Sequence, residues 1–157
     1  MEVRQLSADN IEEIMKFEQN HAPDKPLYAR AKREDLEHVF ANNHICRAYG
    51  IYVEEKLVAL GAYQSQGDEY SSREEGIYEI CGIVVHSLYR GKGLGKKIVN
   101  TVRNEIRNNQ KYKEMYLAVS PLNVAALVLY LKNGFIISDY RRDVYGPGIN
   151  RVYMTTK

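Results

Sequence analysis

The sequence predicts an α/β domain with a mixed sheet, on three observations. Stretches of strand and helix character follow one another as strand, two helices, three strands, helix, strand, helix, two strands. Ile77–Val85 is an almost unbroken apolar run, as in a strand covered on both faces. Leu94, Ile98, Val102 and Ile106 recur every four residues, as on one face of an amphipathic helix.

Element by element, Val3–Leu6 reads as a short opening strand. Ser7 or Asp9 caps a helix whose turns are marked by Ile11, Ile14, Met15 and Glu18. His21–Pro26 breaks it, with Asp24 and Pro26 as turn residues. A second helix covers Ala31–Ala41, with Leu36, Val39 and Phe40 on one stripe. Cys46–Val53 and Leu57–Tyr63 flank Glu54-Glu55-Lys56 as a hairpin. Gln64–Glu75 is polar and reads as a loop, and Ile77–Val85 is the next strand. A helix over Gly93–Asn109 leads to a strand at Met115–Val119. Asn123–Lys132 is a helix stopped by Asn133-Gly134. Phe135–Tyr145 and Asn150–Thr156 close the chain as a strand pair around Gly146-Pro147-Gly148.

Composition narrows the functional classes. The chain has 157 residues, 45% hydrophobic and 27% charged, which suits one domain over residues 1–157 with its own core. A net charge of +2 is too mild to argue for a nucleic-acid partner. No stretch has the roughly 20 apolar residues of a membrane span, and the N-terminus does not read as a signal peptide, so a cytoplasmic setting is expected. Cys46 and Cys81 lie in apolar runs and read as small buried residues. His21, His38, His44 and His86 are scattered, and no metal is expected.

The segment His86-Ser-Leu-Tyr-Arg-Gly-Lys-Gly-Leu-Gly-Lys-Lys-Ile98 joins the apolar strand to the amphipathic helix. Glycines at 91, 93 and 95 let the backbone approach an anion closely. The first N–H groups of the helix have no internal partners, and the helix dipole favours negative charge there. Arg90, Lys92 and Lys96 add positive charge, so the segment calls for a phosphate or pyrophosphate. The spacing GxGxG differs from the dinucleotide GxGxxG. Gly91-x-x-x-Gly95-Lys96 is one residue short of a P-loop, and Lys97 stands where that loop has a hydroxyl. A glycine-rich turn with solvated lysines is the remaining alternative.

Arg90-Gly91-Lys92-Gly93-Leu94-Gly95 resembles the R/Q-x-x-G-x-G/A signature of the GNAT N-acetyltransferase superfamily. Asn123-Val-Ala-Ala126-Leu-Val-Leu-Tyr130-Leu-Lys-Asn-Gly134-Phe135 resembles the family's N-x-x-A-x-x-x-Y-x-x-x-G-F element, and the order of elements agrees from end to end. The resemblance implies a three-layer domain with a central mixed, mostly antiparallel sheet of six to seven strands flanked by about four helices. It implies acetyl-CoA as cosubstrate. Main chain at Ile83, Val84 and Val85 would pair with the pantetheine arm like an added strand. Arg90 and the N–H groups of Gly91, Lys92, Gly93, Leu94, Gly95 and Lys96 would cradle the pyrophosphate, and Asn123 would be a further cofactor contact. Gly82 marks either a bulge that splays this strand from Met115–Val119 or a close packing point.

Acetyl transfer from a thioester to an amine needs a proton acceptor, a stabilised oxyanion and protection of the leaving thiolate. Tyr130 shares a helix face with Asn123 and Ala126, at the edge of a stripe formed by Val124, Leu127, Val128 and Leu131 that is expected to pack on the sheet. The resemblance assigns Tyr130 as proton donor. Glu79 is the one charged residue between Ile77 and Val85, and a buried carboxylate is costly unless it is paired or functional. Period-2 alternation puts it on one face with Cys81, Ile83 and Val85. It is the candidate base; a strand carboxylate reaching solvent or an arginine is the alternative.

The acceptor, an amine on a small molecule or a protein, is not identified. Asp68, Glu69, Glu74 and Glu75 would attract a cationic amine such as a polyamine, an aminoglycoside or lysine, unless they form a solvated loop. Tyr140, Tyr145 and Tyr153 are candidates to line its pocket. Self-association into a homodimer is left open. Two other functional readings remain: a silent acyl-CoA-binding module and a nucleotide-binding phosphotransferase.

Overall fold

Seven strands form one sheet in the order β1-β2-β3-β4-β5-β7-β6 in the computed structural model, which describes residues 1–22, 31–42, 46–65 and 75–156. In chain order these are β1 (Glu2–Gln5), α1 (Ile11–His21), α2 (Arg33–Ala41), β2 (Cys46–Val53), β3 (Lys56–Ser65), β4 (Ile77–Val85), α3 (Leu94–Arg107), β5 (Glu114–Val119), α4 (Val124–Lys132), β6 (Ile136–Arg141) and β7 (Arg151–Thr155). All neighbouring strands are antiparallel except β4 and β5. The expected fold class and element order hold. The turn residues Asp24 and Pro26, His44, and loop residues 66–74 lie outside the described residues.

The sheet is covered on both faces, because each face carries its own apolar set. On one side, Ile14 and Phe17 of α1 and Leu36 of α2 pack on Ala48, Leu57, Leu60 and Val84. On the other, Ile98, Val99, Val102 and Ile106 of α3 are fully buried against Ile51, Val58, Ile80, Leu117 and Met154. Burying each such side chain contributes about 1.5–3 kcal/mol. The four-residue repeat read from the sequence is therefore the core stripe of α3.

Helix α4 corrects one expectation. Val124, Val128 and Leu131 are exposed, and the buried residue of the helix is Tyr130. Ala126, Leu127 and Leu129 make the partial contact with the core. The helix is apolar nearly all round, so periodicity could not say which stripe faces inward. The strand expected at Phe135–Tyr145 is shorter: Phe135 is core, and β6 ends at Arg141. No helix among the described residues is long and apolar enough to cross a membrane.

Candidate active site

The site begins with a fault in β4. Ala62 pairs with Cys81 but Leu60 pairs with Val84, so β4 carries one residue more than β3 across the same span. Gly82 sits in that bulge at φ +65°, a conformation other residues rarely adopt. The extra residue breaks the expected alternation. Glu79 and Cys81 face the α1/α2 side with Glu18 and Leu36, whereas Ile83 and Val85 pack with the α3 core. Strand β4 pairs with β5 only through Ile77, Tyr78 and Glu79, and beyond Glu79 the two strands part. Of the two roles considered for Gly82, the bulge is the one observed.

Beyond the bulge the parted strands open a cavity of about 520 Å³. Ile83, Val84 and Val85 form one wall, and Asn123, Ala126 and Tyr130 of the α4 segment form the other. Arg90, Gly91, Gly93, Gly95 and Lys96 close its end. Helix α3 starts at Gly93, with no side chain capping it, so its first N–H groups remain open to an anion. Gly91 and Gly93 have φ of +75° and +80°, and a Cβ at either would meet no protein atom within 4 Å. Gly95 serves packing as well: a Cβ there would lie 3.1 Å from Leu129 of α4. The side chains of Leu94 and Lys92, residues expected to contribute their N–H groups, lie outside the cavity. Leu94 is buried in the core, and the Lys92 ammonium lies 5.0 Å from the centre of the Tyr89 ring. Asn123 caps α4, its Oδ1 accepting the Ala126 N–H at 3.2 Å.

Arg90 is held at the cavity mouth. Its Nε donates to the Val85 carbonyl at 3.2 Å and its Nη2 to the His21 carbonyl. The His21 ring stacks on His86 with 3.8 Å between centroids. His86 is buried, and its Nδ1 accepts the Leu88 N–H at 3.2 Å. Burial first, and neighbouring positive charge second, lower the pKa of both histidines. The C-terminal end of α1 is thereby tied to the glycine segment.

Before the bulge lies a second cavity of about 370 Å³. Ile14 and Glu18 of α1, Asp35 and Leu36 of α2, Gln64 of β3, Glu79, Cys81 and Gly82 of β4, Tyr145 and Arg151 line it. Glu79 Oε2 accepts from Gln64 Nε2 at 2.9 Å and from the Tyr116 hydroxyl at 3.2 Å, which fixes the carboxylate at the wall. Glu18 is buried, and its Oε2 accepts the Ala31 N–H at 3.1 Å.

Along β4 the lining passes from the smaller cavity at Cys81 and Gly82 to the larger one at Ile83. Tyr130 lines the cofactor-side cavity, is 7% exposed and packs edge-on to Phe135 at 5.8 Å. Burial, then Cys81, raises its pKa, so the hydroxyl keeps its proton. Burial, then Glu79, likewise raises Cys81. The thiol is therefore protonated and faces the cavity wall instead of the core, a correction to its reading as an ordinary buried residue.

Of the acidic loop residues, Asp68, Glu69 and Glu74 are outside the described residues. Glu75 pairs with Lys111 at 2.5 Å and lines neither cavity. Tyr145 lines the smaller cavity. Tyr140 is exposed, and Tyr153 stacks on Tyr116 at 6.4 Å under the Arg141 guanidinium. Sequence reasoning missed Glu18, Asp35, Gln64 and Arg151 as cavity residues. They come from five separate elements with Glu79, and no local pattern joins them. Among the described residues, no group of three or more His, Cys, Asp or Glu is placed to hold a metal ion.

Known proteins resemble this chain at both levels. Its sequence is 28% identical over 92 residues to the spermine/spermidine N(1)-acetyltransferase of Bacillus subtilis, a match covering 59% of this chain and 60% of that one. An acetyltransferase of the GNAT family from Streptococcus pneumoniae superposes with a TM-score of 0.81 at 17% identity, over 99% and 98% of the two chains. The ribosomal-protein-S18-alanine N-acetyltransferase of Escherichia coli superposes with a TM-score of 0.78 at 17% identity, over 99% and 92%. At these identities the structural likenesses establish the fold. Residues 9–135 match the family model described as the acetyltransferase (GNAT) family, and the chain belongs to that family.

Proposed function

We propose that the protein moves the acetyl group of acetyl-CoA to a primary amine by direct attack in a ternary complex. The observation that carries this is the pair of cavities lined by successive parts of β4 on either side of its bulge, one suited to coenzyme A and the other lined by carboxylates. The larger cavity fits the cofactor. An uncapped helix start with Arg90 and Lys96 suits the pyrophosphate, and the β4 edge left by β5 beyond Glu79 suits a strand-like pantetheine arm.

In this reading the ammonium enters the smaller cavity and gives a proton toward the Glu79 carboxylate. The amine nitrogen attacks the thioester carbonyl, the N–C bond forms and the C–S bond breaks. Sulfur takes its proton from the Tyr130 hydroxyl, which burial keeps protonated, and the second proton that nitrogen sheds as the amide forms returns to the Tyr130 oxygen through solvent. Glu18, Asp35 and Glu79 favour an acceptor whose amine arrives protonated.

Release of free thiol from acetyl-CoA against a panel of primary amines tests the proposal. Tyr130→Phe keeps the ring and its packing, so thiol release should fall by about 10²-fold while coenzyme A affinity and stability hardly change. A wild-type protein that binds coenzyme A and releases no thiol with any amine is a silent acyl-CoA-binding module. Equal thiol release from wild type and Tyr130→Phe would remove Tyr130 from the chemistry.

A further inference from the structure

Arg151 is the first residue of β7 and is 5% exposed, yet it lines the smaller cavity. Among the described residues it makes one hydrogen bond, Nη1 to the Asn150 carbonyl at 2.8 Å, although a guanidinium offers about five N–H donors. Its flat face lies 5.0 Å from the centre of the Tyr145 ring. Among the described residues no carboxylate forms an ion pair with it.

Four other arginines have a carboxylate partner, and Arg90, Arg107 and Arg142, which have none among the described residues, are exposed. Arg4 pairs with Glu2 and Glu55, Arg33 with Glu12, Arg47 with Glu105 and Arg141 with Asp139. Arg103 also lacks a carboxylate, but it is only partly buried, donates to the Asn133 carbonyl and lines neither cavity. A guanidinium cannot shed its charge as a buried lysine or histidine can. Burying one without a counter-ion is costly, and the cost is recovered when an anion arrives in the cavity.

The rest of the wall fixes what kind of molecule carries that anion. Glu79 and Arg151 share the cavity, and both act electrostatically on Tyr145, which stands between the β6 and β7 strands. A site for an ammonium and a site for an anion thus lie within one space of about 370 Å³, near the lower end of ligand pockets. A long polycation would bring positive charge against Arg151 and gain nothing from it.

We propose that Arg151 docks a carboxylate carried by the acceptor, so that the preferred acceptor is an amino acid or another small amine bearing a carboxylate. Planar, bidentate capture of a carboxylate is the task for which arginine is suited and lysine is not. The inference rests on the reading of the smaller cavity as the acceptor site.

Each acid in a panel of amino acids is compared with its own carboxamide and with spermidine, by thiol release and by calorimetric titration of the coenzyme A-loaded protein. The acid should exceed its amide by at least about tenfold in kcat/KM and in affinity, since a buried charge pair broken on one side costs at least that factor. This comparison uses the wild-type protein and needs no variant. Arg151→Gln should erase the difference and Arg151→Lys should restore part of it. Amides that match their acids, spermidine preferred over every acid, or an acid preference that survives Arg151→Gln would each overturn the proposal. Arg151-dependent binding of acids without thiol release would sink acetyl transfer and leave the anion site standing. Thiol release with amines but no preference for acids would do the reverse.

Discussion

The two cavities on either side of the Gly82 bulge are built by different means. The larger draws much of its lining from one continuous stretch, residues 83–96, with its strand edge, glycine turn and helix start, closed by α4. The smaller is made of side chains drawn from α1, α2, β3, β4, β7 and the segment before β7. A main-chain site recognises what every backbone can offer, N–H groups and a dipole, so it suits a constant ligand. A side-chain site can change its charges one residue at a time without disturbing the fold, so it suits a ligand that differs between relatives. The chain thus places a local site and a site assembled from distant elements on either side of a single inserted residue.

The sharpest way to break that comparison is at Gly93. A valine there would have to hold φ near +80°, which costs a β-branched residue dearly, and its side chain would enter the space left for the anion. Coenzyme A affinity should fall by about 10²-fold or more, while binding of an acceptor to the smaller cavity should be unaffected. Arg90→Ala should cost less, about tenfold, because the arginine adds charge to a site already formed by main chain. Calorimetry on both variants checks the order. An unchanged affinity in both would mean that the pyrophosphate lies elsewhere.

A smaller effect concerns the tie between the two halves. His21 and His86 have lowered pKa values in the folded protein, so between the unfolded value near 6.5 and the folded values the unfolded chain binds more protons. Their contribution to stability is complete above about pH 6.5 and is lost as the pH falls below it. The ligand-free protein should melt a few degrees lower at pH 5.5 than at pH 7.5, and His86→Phe should reduce that difference. An identical pH dependence in the variant would show that other groups cause it.

Legibility in the sequence follows the same division. The glycine turn, the helix start and the core stripe of α3 are legible because their information is local: three glycines and a four-residue apolar repeat within a few turns. Leu94 carries both readings at once, its side chain in the core stripe and its N–H at the helix start, while the Lys92 ammonium lies by the Tyr89 ring. On α4, the resemblance of the Asn123–Phe135 stretch to the family element singles out Tyr130 among thirteen tyrosines, yet the exposed stripe of Val124, Val128 and Leu131 is expected to be buried. Glu79 was found because it interrupts an apolar run. Its orientation relative to Ile83 was wrong because one residue at Gly82 reverses the alternation. Arg151 left a faint signal, an arginine opening an otherwise apolar strand, and only the register of β7 beside β5 and β6 buries it.

The central claim is that the amine is deprotonated on the acceptor side of the bulge while the thiolate is protonated on the cofactor side. Glu79→Gln keeps the shape of the carboxylate and removes its basicity, so kcat/KM measured against pH separates the two roles. The variant should be impaired at neutral pH and recover much of its activity at high pH, where the acceptor amine is already neutral; Tyr130→Phe should stay impaired throughout. A Glu79→Gln profile that overlays that of the wild type would contradict the account, leaving Glu79 as a wall carboxylate held by Gln64 and Tyr116.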